Sequence, residues 1–255
     1  MSVQACADLV HRGDPDRFLA TMAAPVRARA VLFPLYAFNL EVARAPWVAS
    51  EPMIAEMRLQ WWRDALEEIG QGGPVRKHEV STPLAEVLDA DAAALLDDLV
   101  LARRWDVYRD PFADEAAFDA YIDATAGHLT WVAVRLLGAE QGETVVRDAA
   151  YAAGVAGWLR AIPELEARGR RPLVDGRPEA VAALAKRALN RLKQARAAKR
   201  DLPRKAAPAL LPGWQAEWIL RTAAAHPSRV AGGDLHAPEY RRRGTLLLRS
   251  VMGGW

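Results

Sequence analysis

Residues 24–64 read APVRARAVLFPLYAFNLEVARAPWVASEPMIAEMRLQWWRD, and the reading of this run decides the rest. Pro25 stands at a helix-start position, where the missing N–H costs nothing because first-turn N–H groups have no intrahelical acceptor. Val31, Leu32, Leu35, Tyr36, Phe38, Asn39 and Val42 then follow at helical spacing, with apolar residues on every side. That pattern marks a central, buried helix rather than a half-exposed one. Pro46 is expected to stop it. Ser50-Glu51-Pro52 is expected to start a second helix that carries Arg58, Trp61, Trp62 and Asp64.

Outward from this pair, the same signals repeat. Asp14-Pro15 caps a short helix over residues 16–22, and Gly70 closes the tryptophan-bearing helix. Further helices are expected over residues 82–90, 92–108, 114–137, 143–162, 178–200, 215–225 and 238–251, with Pro111, Gly138 and Pro163 as stops. Ala124-Thr125-Ala126-Gly127 is a run of small residues that lets another backbone or a ligand come close. No strand-like alternation persists, and no repeat is present. The fold expected is all-α, a single domain over residues 1–255, with a loose N-terminus over 1–13 and an amphipathic helix and tail over 237–255.

Composition agrees with a globular domain: of 255 residues, 51% are hydrophobic and 26% charged. The nine tryptophans, spread over the helical regions, are read as filler between helices. A lone cysteine, Cys6, excludes an internal disulfide and fits a reducing compartment. The first residues lack the charged and apolar regions of a secretory signal, and no run approaches the roughly 18–20 apolar residues of a spanning helix. The expected location is the cytoplasm, peripheral to the inner membrane. Charge is uneven. Residues 85–124 hold eleven acids against three arginines, whereas residues 168–205 hold thirteen Lys/Arg against three acids. Such segments either meet an anionic partner or face each other.

Carboxylates at i and i+4 share a helix face, as two-metal chemistry requires. Asp64/Glu68, Asp106/Asp110, Asp110/Asp114 and Asp119/Asp123 have that spacing. Pro111 breaks the two middle pairs, leaving Asp119/Asp123 the best placed. The five histidines show no metal-ligand spacing, and Gly70-Gln71-Gly72-Gly73 lacks the Lys-Ser/Thr of a phosphate loop. The basic helix near Lys186–Lys205 lacks stacking aromatics, so nucleic acid is not an expected partner. The last stretch, RRRGTLLLRSVMGGW, places Arg241, Arg242, Arg243 and Trp255 around an apolar run. Such a pattern suits a membrane or a partner surface.

Arg29 ahead of Leu35-Tyr36-Ala37-Phe38, followed by Arg58-Leu59 and Trp62-Arg63-Asp64-Ala65-Leu66, resembles the squalene/phytoene synthase family. The resemblance implies an all-α isoprenoid synthase fold. Active members join two prenyl diphosphates using Mg²⁺ held by aspartate-rich motifs on two facing helices. Here the aspartates of the first motif fall at about Ala43 and Trp47. The second motif matches the helix over residues 150–164, with Arg160 at its arginine, Pro163 at its asparagine and Glu164 at one aspartate. Its later acidic pair falls near Ala167 and Arg168, and a cation there opposes Mg²⁺.

ARRWDVYRDPF at 102–112, YIDATAGHL at 121–129 and WLRAIPELEARGR at 158–170 look like a subgroup related to mitochondrial complex I assembly factor 6. That subgroup shares the fold without the chemistry. The resemblance implies a non-catalytic assembly or binding factor for a respiratory membrane complex, with no cofactor, and a pocket for an isoprenoid or other apolar ligand. Tyr36, Arg58, Trp62, Asp123, Arg160 and Glu164 are the pocket residues expected. The alternative is an active, divergent, Mg²⁺-dependent prenyltransferase using Asp119, Asp123 and Glu164 as replacement ligands.

Overall fold

The computed structural model describes residues 2–49 and 51–255, and every regular element among them is a helix. Helix α1 (Val3–Gly13) starts at Ser2, whose hydroxyl accepts from the Ala5 N–H. The loose N-terminus expected over 1–13 is thereby corrected for residues 3–13: α1 buries Cys6, Leu9 and Val10 against the body. Burial and the nearby Glu79 push the Cys6 thiol up to about 11, so it stays protonated and inert at neutral pH. Asp14 caps α2 (Pro15–Ala23) by accepting from the Arg17 N–H at 2.9 Å.

The central helix α3 (Val26–Val48) is longer than its sequence suggests, because it continues through Pro34 and Pro46. A proline inside a helix costs roughly 3 kcal/mol. Leu32, Leu35, Ala37, Phe38 and Val42 are all fully buried, and burying each large apolar side chain is worth about 1.5–3 kcal/mol, which outweighs that cost. Likewise α9 (Glu143–Ala167) runs through Pro163, corrected from a stop to an interior position. Helix α4 (Pro52–Gly70) follows α3; Ser50, expected to open it, lies outside the described residues.

A short α5 (Ser81–Ala85) leads to α6 (Ala90–Ala102), capped by Asp89. The acidic segment then forms α7 (Glu115–Ile122), a wide turn of π-helix over Asp123–Gly127, and α8 (His128–Leu136). Helix α9 is followed by the basic α10 (Pro178–Ala197), then α11 (Ala216–Ala225), α12 (Ser228–Ala231) and α13 (Glu239–Met252). Helix α3 packs on α1, α4 and α8, and α9 on α8, α10 and α11. The buried apolar side chains form one contiguous cluster from Cys6 to Trp255.

The close approach expected at the small-residue run is made by α9. A Cβ built on Gly154 would lie 2.8 Å from the Ala126 Cβ and 2.9 Å from the Ile122 Cγ2. Alanine would gain about 1 kcal/mol of helix propensity at that position, but overpacking costs about 1–3 kcal/mol because the Ala126 Cβ cannot rotate away. Gly154→Ala is therefore expected to lower the urea midpoint, and Gly154→Val to lower it further; Gly157→Ala, with open space beside it, should leave it unchanged or raise it.

Candidate functional site

Helices α3 and α9, the π-turn and the segment Ala207–Gly213 enclose a cavity of about 710 Å³. Its apolar wall is built from Ile122, Leu129, Ala153, Leu210 and Ile219. The small residues of α9 (Ala149, Ala153, Gly154, Ala156 and Gly157) leave the space open, because they project almost nothing from a helix that is otherwise close-packed.

Two polar clusters reach the cavity. In the first, Asp16 on α2 accepts from Gln215 at 2.7 Å and Arg160 at 3.3 Å, and also from Arg242. Burial opposes ionisation of Asp16, yet these donors outweigh it and hold the carboxyl below its usual range. The acid is therefore charged at neutral pH and anchors three distant segments of the chain. In the second cluster, the Tyr121 hydroxyl donates to both Asp106 carboxylate oxygens, at 2.9 and 3.0 Å. Arg103 donates to Asp106 at 3.0 Å and to Tyr121 at 2.8 Å. Arg170 closes the cluster by donating to the main-chain carbonyls of Trp105 and Asp106.

Of the positions that the synthase resemblance assigns to metal ligands, Ala43, Trp47 and Glu164 line this cavity, as does Arg160 at the motif's arginine, whereas Pro163, Ala167 and Arg168 do not. They do not fit Mg²⁺. Ala43 and Trp47 offer no side-chain oxygen, Arg168 is a cation, and Glu164 is held by it at 2.6 Å. The Trp47 ring lies under two guanidinium groups, with Arg168 4.7 Å and Arg170 5.2 Å from its centroid. Among the described residues no group of three His, Cys, Asp or Glu side chains is arranged to hold a metal ion.

Of the pocket residues read from the sequence, Arg160 and Glu164 line the cavity and four do not. Arg58 is exposed on α4, at the edge of the face that buries Leu59 and Trp62. Trp62 is core: it meets Phe38 edge-on at 5.2 Å and His78 at 5.4 Å. Tyr36 is buried behind the wall, its hydroxyl donating to the Ala209 carbonyl at 3.4 Å, with Arg17 over its ring. Asp123 turns away to Arg147 at 2.8 Å, and Asp119 accepts from Tyr151 at 2.6 Å and Arg187 at 3.1 Å. The wider π-turn sets these two carboxylates on arginines of α9 and α10 instead of on the cavity.

The surface residues expected near the end of the chain divide in the same way. Arg241 is exposed, and Arg243 is exposed but bound to Glu239. Arg242 turns inward to Asp16. Trp255 is only 6% exposed and lines the cavity, its carbonyl accepting from Arg196 at 3.0 Å and from Arg249. Gly253, at a φ of 61°, makes this possible by ending α13 in the left-handed region, so that the chain doubles back.

Asp16, Arg103 and Tyr121 were not singled out by sequence, and Asp106 stood out only as half of the Asp106/Asp110 pair that was set aside. Asp16 sat in a stretch read only as a capped helix start. Asp106 and Tyr121 lay inside ARRWDVYRDPF and YIDATAGHL, where nothing local shows that the two segments meet.

An all-α bundle built around a cavity, with two helices presenting paired positions to it, is the architecture of isoprenoid synthases. It is similar to a dehydrosqualene synthase solved with a ligand, at a TM-score of 0.76 and 16% identity over 98% of this chain and 95% of that one. It is also similar to squalene synthase HpnC from Alicyclobacillus acidocaldarius, at 0.73 and 16% over 89% and 94%. The chain belongs to the squalene/phytoene synthase family, which it matches over residues 10–173. Among curated proteins it is similar to the NADH dehydrogenase (ubiquinone) complex I, assembly factor 6 homolog of Drosophila melanogaster, 27% identical over 66% of this chain. The bovine assembly factor 6 is 25% identical over 96% of this chain. These matches span 53% of the Drosophila protein and 79% of the bovine one.

Proposed function

We propose that this chain is a non-catalytic member of its family, acting as an assembly or binding factor for a respiratory membrane complex of the complex I type. It works at the inner membrane surface and keeps the cavity for an apolar, isoprenoid-like ligand. One observation carries the non-catalytic part. Each carboxylate lining the cavity already has an arginine of its own: Asp14 has Arg17, Asp16 has Arg160, Asp106 has Arg103 and Glu164 has Arg168. A diphosphate leaving group needs divalent cations to offset its charge, and these carboxylates are not free to hold them. The assembly role is supported by the names of the curated relatives, and the ligand by the size and apolar wall of the cavity.

Purified protein is expected to release no diphosphate from farnesyl or geranylgeranyl diphosphate, with or without Mg²⁺. Metal-dependent turnover that Asp123→Asn abolishes would establish the alternative, a synthase with relocated ligands. In cells, loss of the chain is expected to lower the amount of assembled complex I, and the wild-type chain to restore it. Unchanged complex I in its absence would overturn the assembly role.

A further inference from the structure

The last helix is folded inside out. At ~100° per residue, Tyr240, Leu247, Leu248, Val251 and Met252 fall within an arc of about 140° on α13. All five face solvent, at 59–80% exposure. On the opposite side Arg242 and Arg249 turn inward, to Asp16 and to Glu217 at 3.2 Å, and Leu246 is buried between them. Folding thus draws Arg242 and Arg249 onto the body of the protein and leaves the apolar arc outward.

At the same spacing exposed Arg241 falls within the arc, near its Met252 edge, and exposed Arg243 falls about 40° beyond the other edge. The acid on the helix, Glu239, is already paired with Arg243. Residues 216–255 carry six arginines against three acids. An apolar face this broad, accompanied by long cationic side chains that can reach past it, fits the boundary between acyl chains and anionic head groups. It is wider than the narrow stripe a helix presents to a protein groove. The inward side of α13 lies beside the cavity, since Asp16, which holds Arg242, and Trp255, which follows the helix, both line it.

We propose that α13 is the surface by which this protein docks on an anionic phospholipid bilayer, lying in the interface with Tyr240, Leu247, Leu248, Val251 and Met252 inserted. This rests on the reading of the chain as a factor that works at a membrane, and it is tested apart from complex I assembly.

The experiment is co-sedimentation of the full chain with phosphatidylcholine vesicles, with and without phosphatidylglycerol. Binding is expected to need phosphatidylglycerol and to weaken as salt rises, because the head-group attraction is screened. Leu247→Glu with Val251→Glu should lower binding by about tenfold or more, since burial of two large apolar side chains is lost. Both positions are outward, so the urea midpoint should not move. Arg241→Glu with Arg243→Glu should abolish the dependence on phosphatidylglycerol. Equal binding by wild type and the Leu247→Glu/Val251→Glu variant would overturn the proposal, as would no binding at all. So would a wild-type dimer in solution that this variant makes monomeric, because the arc would then be covered by a second copy. Loss of vesicle binding with complex I assembly intact would leave the assembly reading in place and detach it from α13.

Discussion

Asp106→Ala is expected to destabilise the protein by about 3–5 kcal/mol, the range for breaking a buried ion pair from one side. The Asp106 side chain is 3% exposed and that of Arg103 20%, so the guanidinium left behind keeps its charge in a site poor in water. Burial works against the Arg103 charge, and it is the neighbouring Tyr121 and Asp106 that hold its pKa above the ordinary arginine value. Removing the carboxylate takes away the charged member of that pair and leaves the Tyr121 hydroxyl without its acceptor. Tyr121→Phe, which removes one hydroxyl from the same network, should cost only about 1 kcal/mol. Urea unfolding followed by far-UV circular dichroism measures both. An Asp106→Ala loss no larger than that of Tyr121→Phe would mean the pair contributes nothing beyond an ordinary hydrogen bond.

Trp158→Ala should cost a similar amount, about 3–5 kcal/mol, by a different route. Its ring meets Tyr121 at 5.3 Å, Trp105 at 5.6 Å, and Phe112 and Phe118 at 5.8 Å each. Its Nε1 donates to the Pro172 carbonyl at 2.8 Å, fixing the loop after α9. Alanine removes the centre of this aromatic cluster and orphans that carbonyl. Trp158 also lines the cavity, so the lost volume joins a space that already exists. Trp158→Phe keeps the ring contacts and loses the hydrogen bond, and should cost only about 1–2 kcal/mol. Near-UV circular dichroism should lose intensity in Trp158→Ala while the far-UV signal at low denaturant is retained. If the two variants have equal urea midpoints, the hydrogen bond rather than the ring holds this region.

The helices were legible because their signals are local. Asp14 and Asp114 cap where a capping residue should, whereas Asp89, placed inside a helix over 82–90, caps α6; the same signals placed α4, α9 and α10 within a few residues. The prolines misled where tertiary burial outweighed propensity, at Pro46 and Pro163. Half of the cavity was legible through Arg160 and Glu164, because the resemblance carried both onto α9. The other half was not. Asp16 meets Arg160 across 144 positions and Arg242 across 226, and no periodicity in either segment encodes the encounter. Asp119 and Asp123 satisfied the spacing of a ligand pair, but spacing does not say which way a face turns. The five-residue π-turn after α7 and the arginines of α9 and α10 decide it. Trp255 was read as an anchor from its flanking arginines; one left-handed glycine turns it inward instead.

The Arg160–Asp16 contact gives the cavity a counter-ion that comes with the polypeptide. A site that relies on a dissolved cation depends on the supply of that ion. The cation beside Asp16 is a side chain, which cannot be chelated, diluted or exchanged. The polar side of the cavity is therefore set when the chain folds, by groups that no chelator removes.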